Sequence, residues 1–262
     1  ALCLANLLGA ALKSGGKLIL QTRSVGPVGT LVVQNDGPGQ LRGYASFDAE
    51  RVGQDQDERA LLGKGHLAMT IDPGGDRDRY QGIVALDNLT LVEAALAYFR
   101  QSEQLPTFLR LAVGRHYATA PDGTRGWLWR AGGLMLQHLS PEGGTAAPLQ
   151  DRLKGDGTGY EADDNWERTR ILAQTVEDHE LIDPALAPER LLYRLFHEEG
   201  VRAYGASSVA AHCGCSRERL ASIMSEFGAT ELDEMASSAG MIEITCEFCS
   251  ARYAYERREI GR

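Results

Sequence analysis

The sequence predicts an α+β protein: a β-rich core domain with one amphipathic helix, a helical linker, and a small C-terminal α+β domain gathered around cysteines. Three observations lead there. Runs of strand period fill the first half of the chain without regular βαβ winding. An acidic helical stretch follows. Four of the five cysteines then fall in the last quarter. With 262 residues, at roughly 100–200 residues per domain, the chain has room for one large domain or two unequal ones.

The opening ALCLANLLGAALKSGG reads as an apolar helical run, with Cys3 a small buried hydrophobe. It lacks the basic lead-in and cleavage site of a secretory signal. It starts with Ala1 and not methionine, so residues upstream are expected. Strands are expected at KLILQTR (17–23), TLVVQ (30–34), LRGYASF (41–47), HLAMTID (66–72) and YQGIVAL (80–86). Turn signals such as Asn35-Asp36-Gly37-Pro38 and Asp72-Pro73-Gly74-Gly75 separate them. From Leu89 to Glu103, Leu89, Val92, Leu96 and Phe99 form a helical stripe that Pro106 ends. Strands resume at TFLRLAV (107–113) and GGLMLQHL (132–139), and Trp127 and Trp129, flanking an arginine, are expected to cover the core rim, with contact to a partner protein the lesser alternative. Pro141 to Tyr160 is rich in Gly and polar residues and reads as a loop.

Helical periodicity returns from Asp163 to Glu199. Trp166, Ile171, Leu172 and Val176 mark one segment; Leu191, Leu192, Leu195 and Phe196 mark another beyond Pro184 and Pro188. Between Glu161 and Glu199 stand 11 acidic and 4 basic residues. A solvated helical face explains the charge as well as a specialised role does. The division expected is core 1–160, linker 161–204 and cysteine-bearing domain 205–262.

The formal charge is −9, which disfavours nucleic acid as the main partner, since phosphates require a basic surface. No run approaches the ~20 apolar residues of a membrane span. Signals for nucleotide or peptide chemistry are incomplete. Gly63-Lys64 lacks the frame of a Walker loop, and Gly37-x-Gly39 is a turn. His197-Glu198-Glu199 has no second histidine, and Ser207 and Ser208 lack a nucleophile elbow. Asn88-Leu89-Thr90 is a sequon by letters only. No catalytic constellation emerges, so an enzyme is not expected.

The cysteines are spaced Cys213-x-Cys215, thirty residues, Cys246-x-x-Cys249. Zinc takes four thiolates at tetrahedral corners, and two close pairs brought together by folding supply them. The expected ligands of one Zn2+ per chain are Cys213, Cys215, Cys246 and Cys249, with His212 the weaker substitute. MIEIT (241–245) and ARYAY (251–255) read as strands placing CEFC at a hairpin tip. The intervening helices are expected at Arg217–Phe227 and Thr230–Ala239, the second capped by Thr230 and Asp233. Four sulfurs fill the shell and leave no open catalytic position. An inert zinc clip and a redox switch both fit this spacing. The CxC pair adds that two thiols so close can form a strained, reducible disulfide once metal leaves.

HCGCSRERL (212–220) together with MIEITCEFCSARYAY (241–255) resembles the redox-switch domain of the thirty-three-kilodalton heat-shock protein family. These are bacterial, cytosolic, ATP-independent holdase chaperones. The resemblance continues through RYQGIVAL (79–86), FRQSEQLPT (99–107), GGLMLQ (132–137) and LLYRLFHEEGV (191–201). It implies zinc on the four cysteines in a reduced, inactive state. It implies that oxidation pairs Cys213 with Cys215 and Cys246 with Cys249, releases zinc, unfolds the linker and exposes apolar surface to unfolding client proteins, with a homodimer in the active state. It also implies a helical lead-in before ALCLANLL, which this chain lacks, and a shorter loop than Ser140–Tyr160. Two alternatives from other classes are a thiol–disulfide oxidoreductase using Cys246-x-x-Cys249, and an adaptor whose structural zinc resists mild peroxide.

Burying an apolar side chain yields about 1.5–3 kcal/mol, while ordering a residue costs roughly 1–2 kcal/mol of backbone entropy. An acidic linker is therefore marginal and depends on its neighbours. Hydrogen exchange is expected to show residues 166–196 protected only with zinc bound; equal protection in both states would sink the coupling.

Overall fold

The computed structural model describes residues 1–12, 16–37, 39–53, 57–75, 77–119, 122–139, 164–202 and 204–260. The expected loop from Pro141 to Tyr160 and the linker's expected first residues lie outside them. Strands β1 (Lys17–Ser24), β2 (Val28–Asn35), β3 (Gln40–Phe47), β4 (Gly65–Asp72) and β5 (Tyr80–Ala85) form an antiparallel sheet in the order β5-β4-β1-β2-β3. Alternation along them sends Leu18, Leu20, Val33, Leu41, Leu67, Met69 and Val84 to one face. Helix α1 (Leu2–Ala11) and helix α3 (Leu91–Tyr98) cover that face; the short α2 (Glu58–Leu62) lies between β3 and β4.

Thr90 caps α3, accepting from the Glu93 backbone N–H, while the Glu93 carboxylate accepts from the Thr90 N–H at 2.9 Å. The helix buries Leu91, Ala94, Ala95, Ala97 and Tyr98; of the expected stripe, Phe99 is buried and Val92 and Leu96 are half-buried against the same nucleus. A wide π turn, Phe99–Glu103, replaces the expected last helical turns, and Gln104 ends it with φ 54°.

Strands β6 (Thr107–Thr119) and β7 (Arg125–Gln137) form a separate two-stranded ribbon; β6 runs on beyond the expected end at Val113, and β7 starts well before the expected Gly132 and stops short of Leu139. Gly114, Arg115 and His116 break the apolar pattern there, but pairing continues to Thr119 opposite Arg125. Near its base, one face of the ribbon packs Leu109, Leu111 and Met135 into the core under α1. The opposite face carries Phe108, Leu134 and Leu136 against three helices: α4 (Asp164–Gln174), α5 (Asp178–Ile182) and α6 (Pro188–Phe196). These helices bury Ala173, Val176, Leu191, Leu195 and Phe196 there. Ile171, expected in the stripe, is instead 51% exposed. Trp127 and Trp129 do not cover the core rim: both stand exposed on the far half of the ribbon, beyond the reach of α1.

Ion pairs bind the helices together and to the ribbon. Arg168 forks onto Glu199 with bonds of 2.6 and 2.7 Å, Arg194 reaches Glu180 at 2.7 Å, and Arg110 of β6 reaches Asp178 at 2.8 Å. The closest approach needs glycine. A Cβ on Gly132 would stand 1.8 Å from the Leu181 carbonyl oxygen, so α5 lies directly on the ribbon backbone.

The chain returns to the sheet with β8 (Ala210–Ala211), parallel to β3, through bonds from the Ala210 N–H to the Gly39 carbonyl and the His212 N–H to the Leu41 carbonyl, each 2.8 Å. Beyond it stand α7 (Arg217–Met224), α8 (Ala229–Met235) and the hairpin β9 (Met241–Thr245)–β10 (Arg252–Glu256). Gly228, not Thr230, begins α8, its N–H donating to the Glu231 carboxylate at 2.8 Å. Among the described residues, no helix is long and apolar enough to cross a membrane.

Gly132→Ala places a methyl group against a backbone oxygen that cannot rotate away, so overpacking of about 1–3 kcal/mol falls on the contact between α5 and the ribbon. Hydrogen exchange in α5 and α6 is expected to rise while α7, β9 and β10 stay unchanged; unaltered exchange in α5 would refute this packing.

Candidate metal centre

The sulfur cluster is assembled from two turns. Cys213 and Cys215 follow β8 and precede α7, whose N-cap Ser216 accepts from the Arg219 N–H at 3.2 Å. Arg219 reaches back to the Gly214 carbonyl at 3.4 Å, and Arg217 donates to the Ala254 carbonyl at 2.6 Å and pairs with Glu259. The SRER run therefore closes the first cysteine turn and fastens it to β10. Cys246 and Cys249 occupy the tip of the β9–β10 hairpin. There the Cys246 N–H donates to Ala251, the Ser250 N–H donates to Cys246, and Ser250 takes φ 58°.

Folding brings all four sulfurs within 4.8 Å of one another. Cys213 Sγ lies 3.7 Å from Cys246 Sγ, and Cys215 Sγ 3.3 Å from Cys249 Sγ. Four sulfurs at tetrahedral corners, each ~2.3 Å from one ion, stand about 3.8 Å apart. The cluster therefore has the size and donor chemistry for one four-coordinate soft metal ion. His212 is not part of it: its ring is exposed and its backbone pairs with β3.

Behind the cluster the hydrophobic nucleus is small: Met224, Leu232, Ile242, Tyr255 and Ile260. A nucleus this small would gain much of its stability from an ion held by the cluster. Tyr253 adds its hydroxyl 3.3 Å from Cys215 Sγ.

Sequence reasoning missed the residue that joins cluster and core. Arg42 of β3 holds Gln34 and Asp36 on the neighbouring strand side, places its guanidinium 4.4 Å from the Phe248 ring centroid, and donates to Cys213 Sγ at 3.8 Å. Tyr44 meets the same phenyl ring at 6.3 Å. An arginine in a strand carries no sign of a partner 171 positions away. The only available signal was Phe248 between the two cysteines, an apolar residue in an otherwise polar turn.

In the metal-free cluster the thiols are unequal. Burial raises the Cys213 pKa, but the Cys215 backbone N–H, the Cys215 thiol and Arg42 more than offset it, bringing the group down to about 6. Although the Ala251 N–H favours the Cys249 thiolate, the neighbouring Cys215 thiol and burial outweigh it, and Cys249 is pushed up to about 12.

Comparison with known proteins places this geometry. The family model described as Hsp33 protein matches residues 1–256. The chain belongs to the Hsp33 family. A 33 kDa chaperonin from Caulobacter vibrioides is 40% identical over 259 residues, covering 97% of this chain and 80% of its own length. The 33 kDa chaperonin of Pseudomonas aeruginosa is 38% identical over 263 residues, covering 100% and 79%. A crystal structure of the Thermotoga maritima 33 kDa chaperonin, a heat shock protein 33 homolog, superposes with a TM-score of 0.71 at 21% identity, covering 98% of this chain and 80% of that one. Membership makes this Hsp33-family chain a chaperone and not an enzyme. In agreement, Cys246-x-x-Cys249 sits in a β turn and not at a helix N-terminus, where a redox catalyst lowers its thiol pKa.

After chelation at neutral pH, iodoacetamide is expected to alkylate Cys213 first, since its pKa lies below the solution pH and the thiolate is the nucleophile. Cys249 is expected to lag despite being exposed. Peptide mapping reads the order, and equal rates would show that the metal-free cluster does not keep this arrangement.

Proposed function

We propose that this Hsp33-family chaperone is an ATP-independent holdase switched on by oxidation, with Zn2+ on Cys213, Cys215, Cys246 and Cys249 in its resting state. The observation that carries the proposal is a stack of dependencies. The sulfur cluster is fastened to the sheet edge by Arg42 and β8, and the linker covers an apolar face of the ribbon. The ribbon touches both sides, because Ala131 of β7 lines the same cleft as Leu41, Cys213 and Phe248. The working units are a client-holding core (1–160), a metastable linker (161–204) and a redox-sensing domain (205–262).

Zinc, when bound, holds the sulfurs as thiolates and contributes the free energy that orders their small domain. The protein's own groups do the rest. Arg42 offers a cation to Cys213, and Phe248 covers that cation. On oxidation each cysteine pair passes two electrons to one peroxide, whose O–O bond breaks. With two protons this gives two waters, and one S–S bond forms. The pairing proposed, Cys213 with Cys215 and Cys246 with Cys249, follows the family. Neutral disulfide sulfurs hold neither a metal nor Arg42 strongly, so the hold on β3 weakens and the nucleus behind the cluster is left alone. Loss of the linker then bares Phe108, Leu134 and Leu136, the apolar surface that holds unfolding clients. A homodimer of the active form, a cytoplasmic location and the absence of nucleic-acid or membrane partners belong to the same reading.

Light scattering from a thermally unfolding client is expected to fall only when the protein has been treated with peroxide at raised temperature. One zinc per chain should appear in a chromophoric chelator at the same time. Suppression by the reduced, zinc-loaded form, or zinc retained through activation, would overturn the switch.

A further inference from the structure

The far half of the ribbon presents a surface that the switch does not use. On β6 and β7, Val113 faces Ala131, Arg115 faces Trp129, Tyr117 faces Trp127 and Thr119 faces Arg125, so all eight share one face. Nearer the base, this face is the one buried under α1, but beyond Ala131 it runs into solvent. Val113, Tyr117, Trp127 and Trp129 are 64%, 62%, 60% and 72% exposed. Arg115 lies between the indoles, its guanidinium carbon 5.5 Å from the Trp127 ring centroid and 5.8 Å from that of Trp129, and Tyr117 meets Trp127 edge to face. A contiguous exposed apolar patch marks an interaction site more often than chance exposure does.

Charge identifies its occupant. On this face the two strands carry Arg115 and Arg125 and no acidic residue, in a chain of net charge −9. The opposite face of the same ribbon already holds an acidic amphipathic segment, with apolar side chains on Phe108 and Leu134 and Asp178 paired to Arg110. We propose that the outer face docks an extended polypeptide segment in which apolar side chains alternate with carboxylates. The apolar side chains would lie on Tyr117, Trp127 and Trp129 and the carboxylates on Arg115 and Arg125. Because Tyr117, Trp127 and Trp129 are exposed while α4 to α6 cover the opposite face, docking precedes oxidation and does not require it. The proposal goes beyond the switch and stands whether or not the switch operates.

The test uses the full, reduced, zinc-loaded chain. Fluorescence anisotropy follows three labelled probes: a peptide alternating glutamate with leucine and phenylalanine, its lysine counterpart, and oligothymidylate. The glutamate peptide is expected to bind about tenfold tighter than either other probe. Its affinity should weaken as salt rises, and should fall about tenfold in the double variant Trp127→Ser/Trp129→Ser and again in Arg115→Gln. Both variants change exposed side chains, and their peroxide-dependent suppression of client aggregation and their zinc content are measured alongside. That separates loss of this surface from failure of the switch. Equal binding of the glutamate and lysine peptides, or affinity unchanged in both variants, overturns the proposal. So does tighter binding of oligothymidylate, or self-association that Trp127→Ser/Trp129→Ser abolishes, because the face would then serve a nucleic acid or a second copy.

Discussion

A two-stranded ribbon cannot bury its own faces, and that constraint organises this molecule. The base of β6–β7 is apolar on both sides, so each side must find cover. Leu109, Leu111 and Met135 find it in the nucleus shared by the sheet, α1 and α3. Among the described residues, Phe108, Leu134 and Leu136 find it in the helices between Asp164 and Phe196. The first cover belongs to the large nucleus of the main sheet. The second is a group of short helices rich in carboxylates, held by a few buried leucines and by surface ion pairs that contribute little each.

The cysteine domain shows the same economy of apolar burial. Five buried side chains support two short helices and a hairpin, and four sulfurs within 4.8 Å stand where a larger nucleus would otherwise be needed. Thiolates that close repel one another unless a cation lies among them. Arg42 brings a cationic side chain to the cluster from outside, and so ties its electrostatics to the edge of the main sheet. The same side chain contacts Phe248, so a change in the charge of the sulfurs and a shift of the hairpin tip both bear on this residue of β3.

Glycine marks the places where these parts meet. Gly132 admits the α5 backbone to the ribbon, and Gly39, with φ 72°, admits the Ser208 carbonyl beside β3 where a Cβ would stand 1.9 Å from it. Both contacts are backbone against strand, and neither survives an added side chain without movement. The outer half of the ribbon is built differently, from exposed aromatic and arginine side chains that stack on one another.

The sequence alone determined the strands of the main sheet, the α3 region, the helical character of the linker and the four cysteines as one cluster. Each of these is carried by local periodicity or by close spacing, and such signals survive without knowledge of distant partners. It could not reveal how far β6 and β7 extend, because Gly114 and the arginines interrupt the apolar pattern while cross-strand pairing continues. Nor could it locate Trp127 and Trp129, since alternation gives a strand two faces without saying which one meets solvent. Arg42 against Cys213, and the linker on the ribbon's second face, depend on chain segments far apart in sequence. Only tertiary packing decides such contacts, because their energy exists only once both partners have been brought together.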